Sequence, residues 1–86
     1  IGFTRSLARE LGEQGVRVNA VCPAMTKTEM IENFDPDVLE GLRQRYPLKR
    51  LGEIKDVTAT VLFLASDDAD YFTGQTLAPC GGDVMV

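Results

Sequence analysis

Two threonine hydroxyls follow a strand-like segment in the stretch VRVNAVCPAMTKTEM, which runs from Val16 to Met30. Val16 to Cys22 is rich in β-forming residues, and Pro23 ends that pattern because proline has no backbone N–H for a sheet. Thr26 and Thr28 come next, and each hydroxyl can donate and accept a hydrogen bond. A strand that ends in this way can hold a ligand, although threonine hydroxyls also commonly bond the local backbone.

The remaining inventory of reactive side chains is short. The chain has no histidine and two cysteines, so it cannot supply the four Cys or His ligands of a structural zinc site. We predict no metal site. Two cysteines without secretory features are more typical of reduced thiols than of a disulfide framework, and we expect a cytoplasmic protein.

Length and charge exclude several classes of protein. The 86 residues suffice for one small domain, and the net charge of −4 argues against nucleic-acid binding, which usually needs a basic surface. No apolar run approaches the roughly 18 residues of a membrane span, so we expect neither nucleic acid nor a membrane as partner. The chain opens on Ile1 inside a helical pattern without an N-cap residue, and we therefore expect residues 1–86 to be a fragment of a single domain.

Hydrophobic periodicity predicts five elements in the order helix, strand, short helix, long helix and strand. The predicted bounds are a first helix that ends before Gly15, a strand over Val16–Cys22, a short helix from Asp35-Pro36-Asp37 to Tyr46-Pro47, a helix over Glu53–Ser66, and a strand over Gln75–Pro79. Strands joined through helices pair in parallel with right-handed crossovers. The predicted fold class is α/β, and a two-stranded parallel sheet needs further strands from upstream sequence.

The segment near 29–47 has a mixed character that allows two interpretations. Asp35 and Pro36 form a strong helix start, and the short helix behind them carries an apolar stripe of Val38, Leu39 and Leu42. A short amphipathic helix between a ligand-like loop and the next core element suits a lid over a site. An ordinary surface connection explains the same pattern equally well.

Two long stretches resemble the second half of the short-chain dehydrogenase/reductase family. IGFTRSLARELGEQGVRVNAVCPAMTKTEM is similar to the family's region around an RVNAVxPG strand and a following threonine. PLKRLGEIKDVTATVLFLASDDADYFTGQTLAPCGG is similar to its C-terminal run, in which FLAS and ITGQ motifs precede paired glycines. The resemblance spans essentially the whole chain. Bacterial 3-oxoacyl-carrier-protein reductases and sugar or polyol dehydrogenases within this family look equally similar.

The resemblance implies the C-terminal part of a doubly wound, parallel-sheet Rossmann fold that binds NAD or NADP. It implies that the backbone at Pro23, Ala24 and Thr26 approaches the nicotinamide end of the cofactor. The Thr28 hydroxyl would contact the carboxamide or the adjacent phosphate. Two positions depart from the family pattern, which usually has Gly in place of Ala24 and Asp in place of Cys80.

Four apolar residues lie within or after the implied cofactor loop: Met25, Met30, Ile31 and Phe34. We expect them either to line the substrate pocket or to pack the lid-like helix against the body of the domain.

The implied activity is hydride transfer between a nicotinamide cofactor and a carbonyl or alcohol substrate. The family's catalytic Ser and Tyr-x-x-x-Lys pair are expected upstream of Ile1, because neither Tyr46 nor Tyr71 has a Lys four residues later. We therefore expect no catalytic residue within the chain. The resemblance also implies a homotetramer or homodimer, assembled through the last strand and the 54–65 helix. Two alternatives stay open: an inactive Rossmann-like scaffold or oligomerisation subunit, and a free-standing small α/β binding module.

Overall fold

The elements follow the predicted order. The structure is a computed structural model that describes residues 1–23 and 33–83. Within these residues the elements are helix α1 (Gly2–Leu11) with a 3-10 turn (Gly12–Gln14), strand β1 (Ala20–Val21), helix α2 (Pro36–Arg45), helix α3 (Ile54–Ala65) with a 3-10 turn (Asp67–Ala69), and strand β2 (Thr76–Leu77). The α/β class predicted from the periodicity is confirmed.

Strands β1 and β2 pair in parallel, as predicted. Ala20 lies opposite Thr76, and Val21 lies opposite Leu77. The Ala20 N–H donates to the Gln75 carbonyl at 2.9 Å, and the Cys22 N–H donates to the Leu77 carbonyl at 2.9 Å. Because the strands run in the same direction, both end at one edge of the sheet, which we call the carboxyl edge.

Strand β1 is shorter than the predicted Val16–Cys22. Val18 makes hydrogen bonds to a turn instead of to a strand: its carbonyl accepts from the Gly74 N–H at 2.7 Å. Its N–H donates to the Thr73 hydroxyl oxygen at 3.2 Å. The backbone of Val18 is therefore satisfied without a regular ladder.

The Asn19 side chain continues this irregular pairing. Its Oδ1 accepts from the Gln75 N–H at 3.1 Å, and its Nδ2 donates to the Phe72 carbonyl at 3.0 Å. The Asn19 side chain thus bonds backbone groups of Phe72 and Gln75 that the backbone of a longer strand would have bonded. This explains why the ladder begins only at Ala20.

Helix α3 covers one face of β1. Arg17, Asn19 and Val21, which share a face by strand alternation, line a common cavity with Val61 and Leu64 of α3. Arg17 Nη1 donates to the Ala69 carbonyl at 2.9 Å, just beyond the end of α3. The last carbonyls of a helix lack intrahelical partners and carry partial negative charge, so the guanidinium stabilises this end of the crossover.

The helix ends lie at the capping residues that the sequence predicts. Gly15 adopts a φ of 76° after the 3-10 turn, which is the left-handed conformation expected of a helix C-cap. The Asp35 carboxylate accepts from the Asp37 N–H at 2.8 Å at the start of α2. Tyr46 is extended at the end of α2, as required of a residue before proline. These three predictions are confirmed.

The apolar faces of α1 and α3 are largely exposed within the described part of the chain. Phe3 is 77% exposed, and Ile54 and Leu62 are 64% and 65% exposed. The radius of gyration is 15.5 Å, compared with about 12 Å expected for a compact domain of this length. The predicted core-facing stripes therefore exist, but residues 1–23 and 33–83 leave them mostly uncovered.

Charged groups hold the beginning of α3. The Asp56 carboxylate accepts from the Glu53 N–H at 2.8 Å, which satisfies the N-cap backbone. Arg50 donates to both oxygens of Asp56, at 2.9 Å and 3.2 Å. The hydrogen bond from Arg50, followed by that from Glu53, lowers the pKa of Asp56 from 3.8 to about 2.

This pKa predicts an acid-sensitive contribution to stability. Because the pKa of Asp56 is lower in the folded state, its carboxylate stabilises the fold above about pH 4, and this contribution is lost as the pH falls through 3.8 towards about 2. We expect Asp56→Asn to lower the urea midpoint of the intact protein at neutral pH. The difference from wild type should shrink between about pH 4 and pH 2.

Arg50→Met is the companion variant, because Arg50 makes the largest contribution to the lowered pKa of Asp56. Arg50→Met should weaken the dependence of the urea midpoint on pH between about pH 4 and pH 2, while the Asp56 carboxylate stays in place. A difference between Asp56→Asn and wild type that stays constant down to pH 2 would contradict the assignment.

Candidate functional site

Pro23 lies at the carboxyl edge, where the fold of the sheet predicts a ligand. The Cys22 N–H makes the last bond of the ladder, to Leu77, and the exposed Pro23 follows it directly. In open α/β sheets, ligands bind in the crevice outside the carboxyl ends of the strands. The structure thus positions the beginning of the predicted cofactor loop at the carboxyl edge.

The other predicted site residues divide into two groups. Phe34 is described and is 39% exposed, directly before the N-cap residue of α2. The remaining cofactor and pocket residues lie outside the described residues; they are Ala24, Thr26 and Thr28 for the cofactor, and Met25, Met30 and Ile31 for the substrate pocket. Their assigned roles stay predictions.

The turn after β2 contacts the segment after α2. The Leu48 N–H donates to the Gly81 carbonyl at 3.0 Å, and Arg45 Nε lies 3.2 Å from Asp83 Oδ1. Gly81 and Gly82 have φ values of 62° and 95°, a conformation that favours glycine. We call residues 45–51 together with 80–83 the clasp.

An apolar cluster joins the clasp to α2. Tyr46 and Leu51 are 3% and 4% exposed, and Leu39 and Leu42 of α2 pack against them. Val38, predicted to share this stripe, is 52% exposed, so the apolar face of α2 is narrower than the sequence indicated. Helix α2 is therefore held near the carboxyl edge by its own C-terminal continuation. A movement of α2 as a lid stays a prediction.

Two cavities flank Arg50. A cavity of about 190 Å³ lies beside the turn after β2 and is lined by Leu48, Arg50, Pro79 and others. A larger cavity of about 590 Å³ lies against α2, with Leu39, Arg43 and Leu51 among its lining residues. The guanidinium groups on these walls are paired, since Arg50 contacts Asp56 and Arg43 lies 3.0 Å from Glu40. The described walls of both cavities therefore carry paired charges beside apolar side chains.

Other chemistry finds little support in the described ranges. No group of three or more His, Cys, Asp or Glu side chains converges there as metal ligands would. Tyr46 is buried in the clasp, and Tyr71 is fully exposed. No helix in residues 1–23 or 33–83 is both long and apolar enough to cross a membrane.

The clasp is the part of this region that sequence reasoning missed. In the sequence, the paired glycines belong to the C-terminal motif and the Tyr46-Pro47 step ends a helix, and nothing in the pattern connects the two features. Their contact joins residues 38 positions apart, such as Arg45 and Asp83, and no periodic pattern links positions at that distance. Paired glycines indicate a turn with positive φ, but they do not indicate which other segment the turn contacts.

Comparisons with known proteins agree with the geometry. A family model described as Enoyl-(Acyl carrier protein) reductase matches residues 1–83. The chain is 45% identical over 85 residues to the 3-oxoacyl-(acyl-carrier-protein) reductase of Staphylococcus epidermidis, covering 99% of this chain and 35% of that protein. It is 43% identical over 86 residues to the corresponding reductase of Salmonella typhimurium, covering 100% of this chain and 35% of that protein.

A solved structure shows the same arrangement of elements. The crystal structure of 3-oxoacyl-(acyl-carrier-protein) reductase from Brucella melitensis superposes with a TM-score of 0.94 at 38% identity, covering 99% of this chain and 32% of that chain. The chain thus spans about a third of the length of the proteins it matches, and it has part of their Rossmann-type α/β fold. Because this family model and these relatives match nearly the whole chain, the chain belongs to the short-chain dehydrogenase/reductase family.

Proposed function

We propose that the protein containing this chain is an NAD- or NADP-dependent reductase that transfers hydride to the ketone of a 3-oxoacyl group carried on an acyl carrier protein. The observation that carries this proposal is the parallel β1–β2 pair, which places Pro23 at the carboxyl edge. The similar proteins from Staphylococcus epidermidis, Salmonella typhimurium and Brucella melitensis are 3-oxoacyl-(acyl-carrier-protein) reductases, which supports the choice of substrate.

The residues after β1 hold the nicotinamide end of the cofactor in this proposal. The backbone at Pro23, Ala24 and Thr26 faces the nicotinamide, and the Thr28 hydroxyl binds its carboxamide or the adjacent phosphate. The cofactor supplies the hydride, and these residues orient it against the substrate carbon. A tyrosine from outside residues 1–86 donates the proton to the developing alkoxide, with its pKa lowered by a neighbouring lysine ammonium.

The apolar residues within or after that loop bind the substrate. Met25, Met30, Ile31 and Phe34 offer apolar surface of the kind that an acyl chain requires. Phe34 is the member of this set with a described position, and its side chain is partly exposed beside the start of α2. A polyol or sugar would instead need several hydrogen-bonding side chains at these positions.

A substrate comparison tests the proposed activity. The purified intact protein should oxidise NADPH or NADH, followed by loss of absorbance, when an acetoacetyl thioester is supplied. A crotonyl thioester, which offers a carbon–carbon double bond and no ketone, should react at least ~10-fold more slowly because the proton-donating geometry suits an oxygen. Oxidation of polyols alone would indicate a polyol dehydrogenase. The absence of turnover with every substrate would favour the inactive scaffold.

The role of Thr28 is tested by Thr28→Val, which removes one hydroxyl at nearly constant volume. Loss of one hydrogen bond to the cofactor should raise the KM for the cofactor about 3- to 10-fold. Thr60→Val is a matched control, because the Thr60 hydroxyl makes only a local bond of the helix, donating to the Asp56 carbonyl at 2.9 Å within α3. Equal KM values for both variants and wild type would remove Thr28 from the cofactor site.

We further propose that the protein is a homotetramer or homodimer in the cytoplasm. The resemblance supports this assembly, because the last strand and the helix that corresponds to α3 commonly form a subunit interface in the family. Sedimentation equilibrium of the intact protein should give two or four times the mass of one protomer. A concentration-independent monomer would contradict this assembly.

A further inference from the structure

We propose that the clasp positions the substrate side of the site: Gly82 and Asp83 fix the C-terminal end of α2 and, through this helix, the placement of Phe34. This inference rests on the proposed function, because it assigns Phe34 to a substrate pocket. It concerns residues in the turn after β2, which the sequence analysis assigned neither to the cofactor loop nor to the substrate pocket.

Gly82 lies against the ring of Pro47 in the clasp. A Cβ atom added to Gly82 would lie 2.7 Å from Pro47 Cγ and 2.9 Å from Pro47 Cβ. Atoms at such distances overlap, so any side chain at position 82 must displace the proline ring. The φ of 95° at Gly82 adds a second reason for glycine at this position. The proline ring after α2 therefore rests directly against the backbone of the turn.

Two polar contacts flank this packing. The Leu48 N–H donates to the Gly81 carbonyl at 3.0 Å, which holds the chain on the far side of Pro47. On the near side, Arg45 pairs with Asp83, whose side chain is only 18% exposed. An exposed ion pair alone contributes little to stability, but these contacts act together on consecutive residues.

Helix α2 transmits the position of the clasp to Phe34. Leu39 and Leu42 pack against Tyr46 and Leu51, so the last two turns of α2 move with the clasp. The ten-residue helix is a rigid rod about 15 Å long. At its other end, the Asp35 cap bonds the Asp37 N–H and fixes the direction in which the chain enters from Phe34. A shift at Pro47 therefore displaces Phe34.

We expect the binding of the cofactor not to depend on the clasp. Pro23 follows β1, whose position is set by the hydrogen bonds to β2 and by the contacts of α3 with β1. None of these bonds involves residues 45–51 or 80–83. A disturbed clasp should therefore raise the KM for the acyl substrate and leave the KM for the cofactor unchanged.

The test compares two glycine variants of the intact protein. Gly82→Ala should raise the KM for an acetoacetyl thioester about 10-fold, since small misplacements at a reacting centre have large effects. The KM for NADPH or NADH should stay within about twofold of wild type. Gly15→Ala is the matched control: Gly15 also has a positive φ, of 76°, but it lies outside the clasp, and an added Cβ there would meet nothing within 4 Å.

A milder variant keeps the test decisive if Gly82→Ala fails to fold. Asp83→Asn removes the charge that Arg45 contacts and should raise the same KM by a smaller factor, about 2- to 3-fold. Its control is Glu40→Gln, which breaks the Glu40–Arg43 pair within α2 and should leave both KM values unchanged.

The outcomes separate this inference from the proposed function. A rise in substrate KM with Gly82→Ala or Asp83→Asn, at constant cofactor KM, supports the positioning role. An active wild type whose two variants keep its substrate KM, or whose variants lose affinity for cofactor and substrate equally, overturns the inference and leaves the function standing. A wild type without carbonyl reductase activity removes the proposed function, and the inference falls with it.

Discussion

The hydrogen-bonded ladder between β1 and β2 constrains where the rest of the chain can lie. Its regular part is only two residue pairs long, yet it fixes the parallel direction of both strands. Parallel direction requires a crossover on one face of the sheet, and α3 supplies it, with Arg17 bonded to the carbonyl of Ala69 at its end. The same direction brings Pro23 and the turn after β2 to one edge. The site and the clasp both depend on this geometry.

Local signals made much of the fold predictable from sequence. Asp35-Pro36 at the start of α2, Tyr46-Pro47 at its end and Gly15 after α1 all act through neighbouring backbone groups, so the residue types alone determine the outcome. Strand length was not predictable in the same way. The Asn19 side chain takes over backbone partners of Gln75 and Phe72, and this requires knowledge of which segment lies opposite.

The candidate site shows the same division. The position of Pro23 at the carboxyl edge followed from the order of strand and breaker, together with the parallel topology. The contact of Gly82 with Pro47 did not, because a glycine that accepts a proline ring looks like any other turn glycine in the sequence. Val38 illustrates a related limit: periodicity places it beside Leu39, but the width of the buried stripe depends on what packs against it.

The pairing of Val18 with Thr73 has a consequence for biosynthesis on the ribosome. The two residues are 55 positions apart, and the other bonds at the start of β1 span similar distances. The nascent β1 segment must therefore wait, with its backbone groups hydrated, while more than fifty further residues are translated. Contacts of such high order form slowly. Until they form, the backbone groups at the start of β1 lack the partners that they have in the folded structure.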